Sequence, residues 1–109
     1  MLNRNDVEFS ITIDPEEEGP EGWMEDDCAR EVRENYESGN CWAWCQVTVH
    51  AKLEGFEGFA FLGGCSYESE EDFKSDLYYQ DLCDEAYKDL LGSISETKTR
   101  LVQVSTLFK

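Results

Sequence analysis

The sequence predicts an α+β fold: a three-stranded antiparallel sheet packed with two main helices, in the order β-α-β-β-α. Three observations predict it. Residues 7–13 alternate apolar and polar side chains. Residues 41–53 repeat that period of two and lead through Glu54 and Gly55 into a partner strand at 56–65. Two other stretches, 25–36 and 77 onward, switch to helical spacing. A chain of 109 residues fits one domain, 1–109, with a modest core.

In the first strand Val7, Phe9, Ile11 and Ile13 share one face, the mark of a half-buried strand. Asp14 and Pro15 end it, and residues 16–22, rich in Glu, Gly and Pro, read as a solvated loop. The first helix opens with Glu25, Asp26 and Asp27, whose charge suits the partial positive charge of a helix N-terminus. Cys28, Val32 and Tyr36 recur at i, i+4 and i+8 beside Ala29 to give an apolar stripe, and Gly39 supplies a stop.

In residues 41–53, Cys41, Ala43, Cys45, Val47, Val49, Ala51 and Leu53 fall on one face. Trp42, Trp44, Gln46, Thr48, His50 and Lys52 fall on the other. Gly55 fits a hairpin turn that needs positive φ, and Gly63 with Gly64 reads as a bulge or strand end. Ser69 and Asp72 have capping-box spacing, with Asp in place of Glu or Gln, and open a short helical turn holding Phe73. In the last helix Tyr79, Leu82, Cys83, Ala86, Leu90 and Ile94 keep helical spacing. Gly92 and Ser93 weaken it, and it runs to about Leu101. The alternation at 102–108 leaves the tail open between helix and strand.

Charge sets the function classes. Asp and Glu number 25 against 9 Lys and Arg, a net −16, which excludes binding nucleic acid by broad phosphate neutralisation. Hydrophobic residues at 40% and aromatics at 13%, in periodic runs, oppose disorder. No stretch approaches the ~18 apolar residues of a membrane span, and residues 1–10 lack a basic-then-apolar leader. Five cysteines at irregular spacing fit reduced thiols, so a cytoplasmic location is expected. The acid lies in two blocks, residues 14–37 at net −9 and 68–89 at net −7, around a middle of −1, while residues 90–109 are +2.

The groups that could carry chemistry are poorly arranged for it. Cys41 and Cys45, with His50 and Cys65, have zinc-ligand types. On a strand, however, residues 41 and 45 stand roughly 13 Å apart, and His50 faces the other way. A Cys–His nucleophile is opposed by acidic surroundings, which raise a thiol pKa. No phosphate-cradling glycine loop and no calcium-loop pattern occurs. The expectation is a non-enzymatic protein without metal or cofactor.

The carboxylates are more telling because many fall on helices. One helical turn is about 5.4 Å and duplex phosphates along a strand rise ~3.4 Å, so acids at i, i+3 and i+4 offer a comparable density of negative charge. Glu31 with Glu34, and Asp81, Asp84, Glu85 and Asp89, meet that spacing. They are the expected contacts to a basic groove, as phosphate surrogates. Trp42 and Trp44 are either core beneath a helix or an exposed apolar anchor, with Trp23 a third candidate.

The run Trp42-Ala43-Trp44-Cys45 is followed by Gly55-Phe56-Glu57-Gly58, then by Leu62-Gly63-Gly64-Cys65-Ser66-Tyr67 and the acidic residues to Phe73, then by Tyr78-Tyr79. Over roughly residues 41–95 this resembles small acidic proteins carried by bacteriophages and plasmids. The resemblance implies a group that includes anti-CRISPR and anti-restriction inhibitors, some of them DNA mimics, and it assigns no catalytic residue. Charge and resemblance together lead to an expected inhibitor of a basic host protein, a CRISPR effector or nuclease, acting in the bacterial cytoplasm. The competing expectation is an adaptor that binds through the Trp42 and Trp44 hairpin face.

Overall fold

The computed structural model describes residues 2–108. Strands β1 (Glu8–Pro15), β2 (Cys45–Leu53) and β3 (Phe56–Cys65) form one antiparallel sheet in the order β1-β2-β3, with helix α1 (Asp26–Glu37) between β1 and β2. Helices α2 (Glu70–Lys74) and α3 (Leu77–Ser105) follow. The α+β class is as expected, and α2 is the short helical turn expected after Ser69, beside the two main helices.

The hairpin turn follows from local chemistry. Glu54 at φ 51° and Gly55 at φ 84° both take positive φ, the backbone of a two-residue turn matched to strand twist. The turn sets the register, Ala51 opposite Gly58 and Val49 opposite Ala60. Near the far end β3 spends an extra residue between Leu62 and Cys65, so Gly63 and Gly64 form the expected bulge, with Gly64 at φ 64°.

One face of the sheet is the core. Cys45, Val47, Val49 and Ala51 of the central strand are buried, joined by Ala60 and Cys65 of β3, and Phe9, Ile11 and Ile13 of β1 pack beside them. α3 lies across this face and buries Leu82, Cys83, Ala86 and Leu90. It comes close at Gly58, where a Cβ would run into the backbone of Ala86 and Leu90. The small residues Gly58 and Ala60 are what let a helix settle there.

Two expectations are corrected, and the open reading of the tail is decided. The central strand begins at Cys45, because Asn40 accepts the Trp42 N–H through its side chain at 3.0 Å and starts a 3-10 turn, Cys41–Ala43. Trp42 and Trp44 therefore do not share a strand face. In α1 the buried stripe is Ala29 with Val32 half-buried, while Cys28 is exposed. The reason is that α1 rests on the turns Pro20–Gly22 and Cys41–Ala43 at the end of the sheet, so only a narrow strip is covered. Finally, residues 102–108 continue α3 to Ser105 and end in a 3-10 turn, Thr106–Phe108. Gly92 does not interrupt the helix.

Ser69 caps α2 as expected, accepting the Asp72 N–H at 3.1 Å, but the Asp72 carboxylate returns to the Glu68 N–H, one residue earlier than in a capping box. No helix among the described residues is long and apolar enough to cross a membrane.

Candidate protein interface

The acidic loop 16–22 is fastened to the sheet. The Glu16 carboxylate accepts the Gly64 N–H at 2.7 Å and the Gln46 side-chain amide at 3.0 Å. These bonds, the Gly64 one foremost, hold its pKa below the ordinary glutamate value. The buried Trp44 donates its indole N–H to the Glu18 carbonyl at 2.7 Å. Trp23 meets Trp44 edge-on at 5.9 Å and lies over Gly64, where an added Cβ would stand 2.7 Å from the indole. Glu21 accepts the Arg33 Nε–H at 2.7 Å, tying the loop to α1.

Between this loop and α1 lies an open cleft of about 250 Å³, lined by Glu16, Glu17, Glu18, Glu37, Arg33 and Tyr36. Four carboxylates stand there against one guanidinium, which already pairs with Glu21 and Glu37. Its size and charge suit an ammonium or guanidinium group from a partner.

The expected contacts divide into three kinds. Glu31 and Glu34 on α1, and Asp81 and Glu85 on α3, are exposed, with no ion pair or side-chain hydrogen bond among the described residues. Asp84 and Asp89 are used by the fold instead. Asp84 pairs with Arg4, a contact that lowers its pKa, and Asp89 accepts the Phe59 backbone N–H at 2.9 Å. Trp42 and Trp44 are not an exposed pair: Trp42 is half-buried and stacks on Phe73 at 5.7 Å, and Trp44 is 5% exposed. α1 packs on the turns Pro20–Gly22 and Cys41–Ala43, whereas α3 packs on β2 and β3.

Sequence reasoning passed over Glu16, Glu17 and Glu18, which it read as solvated loop, and over Phe59 and Phe61. These phenylalanines project from the uncovered face of the sheet, 40% and 70% exposed. His50 stacks on Phe59 at 4.4 Å, and its Nε2 lies 3.2 Å from Glu57 Oε1 without hydrogen-bond geometry. The hairpin register held the signal, because it places Phe59 opposite His50 and Phe61 opposite Thr48.

The thiols stand apart from His50. Cys45 and Cys65 face each other across β2 and β3 on the core side, whereas His50 is on the open side. Burial pushes the Cys45 thiol up to about 12 and the Cys65 thiol to about 11, far from the thiolate a nucleophile needs. Among the described residues no three His, Cys, Asp or Glu side chains converge on a metal position. Comparison with protein families, with curated proteins and with solved structures finds no match.

Proposed function

We propose that the protein is a non-enzymatic inhibitor that binds a basic host protein, a CRISPR effector or nuclease, through the acidic surface formed by the 16–22 loop and α1. The carboxylates stand in for nucleic-acid phosphates. The observation that carries this reading is the fastening of the loop: the Glu16 carboxylate is held by Gly64 and Gln46, the Glu18 backbone carbonyl by Trp44, and the Glu21 carboxylate by Arg33. A loop fixed in this way costs less to order on binding than a floppy tail, and it presents the exposed side chains of Glu17 and Glu18. The choice of partner rests on the sequence resemblance over residues 41–95, which lies outside this surface. Glu31 and Glu34 are the exposed carboxylates of α1 outside the cleft, and Asp81 and Glu85 are a further group on α3.

The test is a pull-down from bacterial lysate with the tagged protein at about 50 and about 200 mM salt. A basic nucleic-acid-binding protein should be retained at the lower salt, lost at the higher, and displaced by added DNA. Glu31→Lys with Glu34→Lys should weaken that capture at least tenfold. A partner retained equally at both salts, or untouched by the charge reversal, overturns the reading. The adaptor alternative moves from the tryptophans to Phe59 and Phe61, the aromatic side chains that the open sheet face exposes. It predicts a salt-insensitive partner lost on Phe61→Ser.

A further inference from the structure

α3 outruns the body it packs on. Through Ile94 its inner stripe is covered by the sheet, with Leu90 fully buried and Ile94 packed against the core. The stripe does not stop there. Leu90, Ile94, Thr97, Leu101 and Val104 succeed one another at alternating spacings of four and three, the seam of a coiled coil, and Phe108 follows in the 3-10 turn that ends the helix. Yet residues 98–108 are all exposed, with Leu101 at 62%, Val104 at 47% and Phe108 at 84%. A projecting helical segment this short is marginal in water without something to pack on.

Charge identifies what covers it. Residues 90–109 carry Lys98, Arg100 and Lys109 against Glu96, a net +2, so the rest of the chain holds −18 of the total −16. Two copies meeting through their acidic blocks repel. Two copies meeting through this segment keep those blocks apart and bring together only two segments of net +2, a much weaker repulsion. Parallel pairing would set the two acidic bodies side by side. Antiparallel pairing sends them to opposite ends and carries each positive tip toward the other copy's acidic body.

We propose that the projecting part of α3 pairs with the same segment of a second copy, antiparallel about Leu101. Leu101 then meets its counterpart, Ile94 faces Phe108 of the other copy, and Val104 packs over the turn at Thr97 and Lys98. The overlap from 94 to 108 is about 22 Å long. The dimer displays two acidic ends pointing apart, so a partner with two basic sites gains from avidity.

The experiment is sedimentation and small-angle scattering of the intact protein at about 1 and about 100 μM, where mass action separates monomer from dimer. The expected result is a monomer at the lower concentration and a dimer at the higher. No partner protein is present in this measurement, so this proposal and the capture of a basic partner fail independently. The single chain measures 67 Å in its longest direction. An antiparallel dimer reaches roughly 110 Å, since two such lengths overlap by about 22 Å. Leu101→Glu with Val104→Glu should give a monomer that keeps the wild-type near-ultraviolet circular dichroism of its packed core and loses only helical signal from the projecting turns, and Thr97→Leu should tighten the dimer at least fivefold. A wild-type monomer at the higher concentration overturns the proposal, and the seam then awaits a different protein. So does a dimer that survives the double substitution, which would point to Phe59 and Phe61, or a particle no longer than the single chain.

Discussion

The backbone N–H of Phe59 donates to the Asp89 carboxylate at 2.9 Å, joining the free edge of β3 to the helix that covers its inner face. An edge strand offers unpaired backbone groups to any passing chain, and a carboxylate placed on one of them blunts that edge. Asp89 thereby holds helix to sheet and protects against edge-to-edge association, which is why it drops out of the contact surface.

Asp89→Ala removes a hydrogen bond to a charged acceptor and should cost about 1–2 kcal/mol in denaturant unfolding. The variant should also aggregate at concentrations where the wild type does not. Asp81→Ala, on an exposed carboxylate without a partner, should change stability by less than about 0.5 kcal/mol. Equal effects at the two positions would remove the special role assigned to Asp89.

Gly58 decides how closely α3 sits on the sheet. A Cβ there would strike the backbone of Ala86 and Leu90, including Leu90 Cα at 2.8 Å, and backbone cannot step aside as a flexible side chain can. Gly58→Ala should destabilise by about 3 kcal/mol. For a domain of this size that is a Tm loss of roughly 15 °C. Gly22→Ala, where an added Cβ meets nothing within 4 Å, is the control and should be nearly silent.

The same contacts explain how much of the molecule was legible in its sequence. The sheet and α3 were readable because their apolar periods matched their burial: Val47, Val49 and Ala51 inward, then Leu82, Cys83, Ala86 and Leu90 on one stripe. The start of β2 was not, since the alternation from Cys41 to Cys45 is formally perfect. What broke it was the Asn40 cap, a local bond across two residues, together with the tertiary packing of Trp42 on Phe73. Glu16 looked like any loop acid, and only the bulge at Gly63 and Gly64, which turns the Gly64 N–H toward it, makes it a fastening point. Asp84 and Asp89 could not be told from Asp81 and Glu85 by spacing alone, because their partners, Arg4 and Phe59, lie far off in the chain.

The tryptophans give an optical check on the loop. Trp44 is buried and hydrogen-bonded, whereas Trp23 is 56% exposed above Gly64. Acrylamide quenching should therefore be biphasic, and Trp23→Phe should remove most of the accessible component. Trp44→Phe should cost about 1–3 kcal/mol, since it strips the Glu18 carbonyl of its donor and loosens the edge contact with Trp23. Uniform quenching of all three indoles would contradict the fastened loop.

The thiols predict an alkaline limit to stability. Cys28 and Cys41 are exposed, while Cys45, Cys65 and Cys83 are buried. At about pH 8 a thiol reagent should modify two cysteines quickly and reach the other three only on unfolding. Burial raises the folded-state pKa of Cys45 from 9.0 to about 12 and that of Cys65 to about 11. The folded chain therefore keeps thiol protons that the unfolded chain releases. Stability from these groups is complete below pH 9.0 and declines as pH rises toward their folded-state values. Denaturant midpoints taken across that window should fall for the wild type and flatten for Cys45→Ala with Cys65→Ala. That pair will be less stable throughout because it loses core volume. Its slope against pH is the readout, and an unchanged slope would mean that these two thiols do not set the alkaline limb.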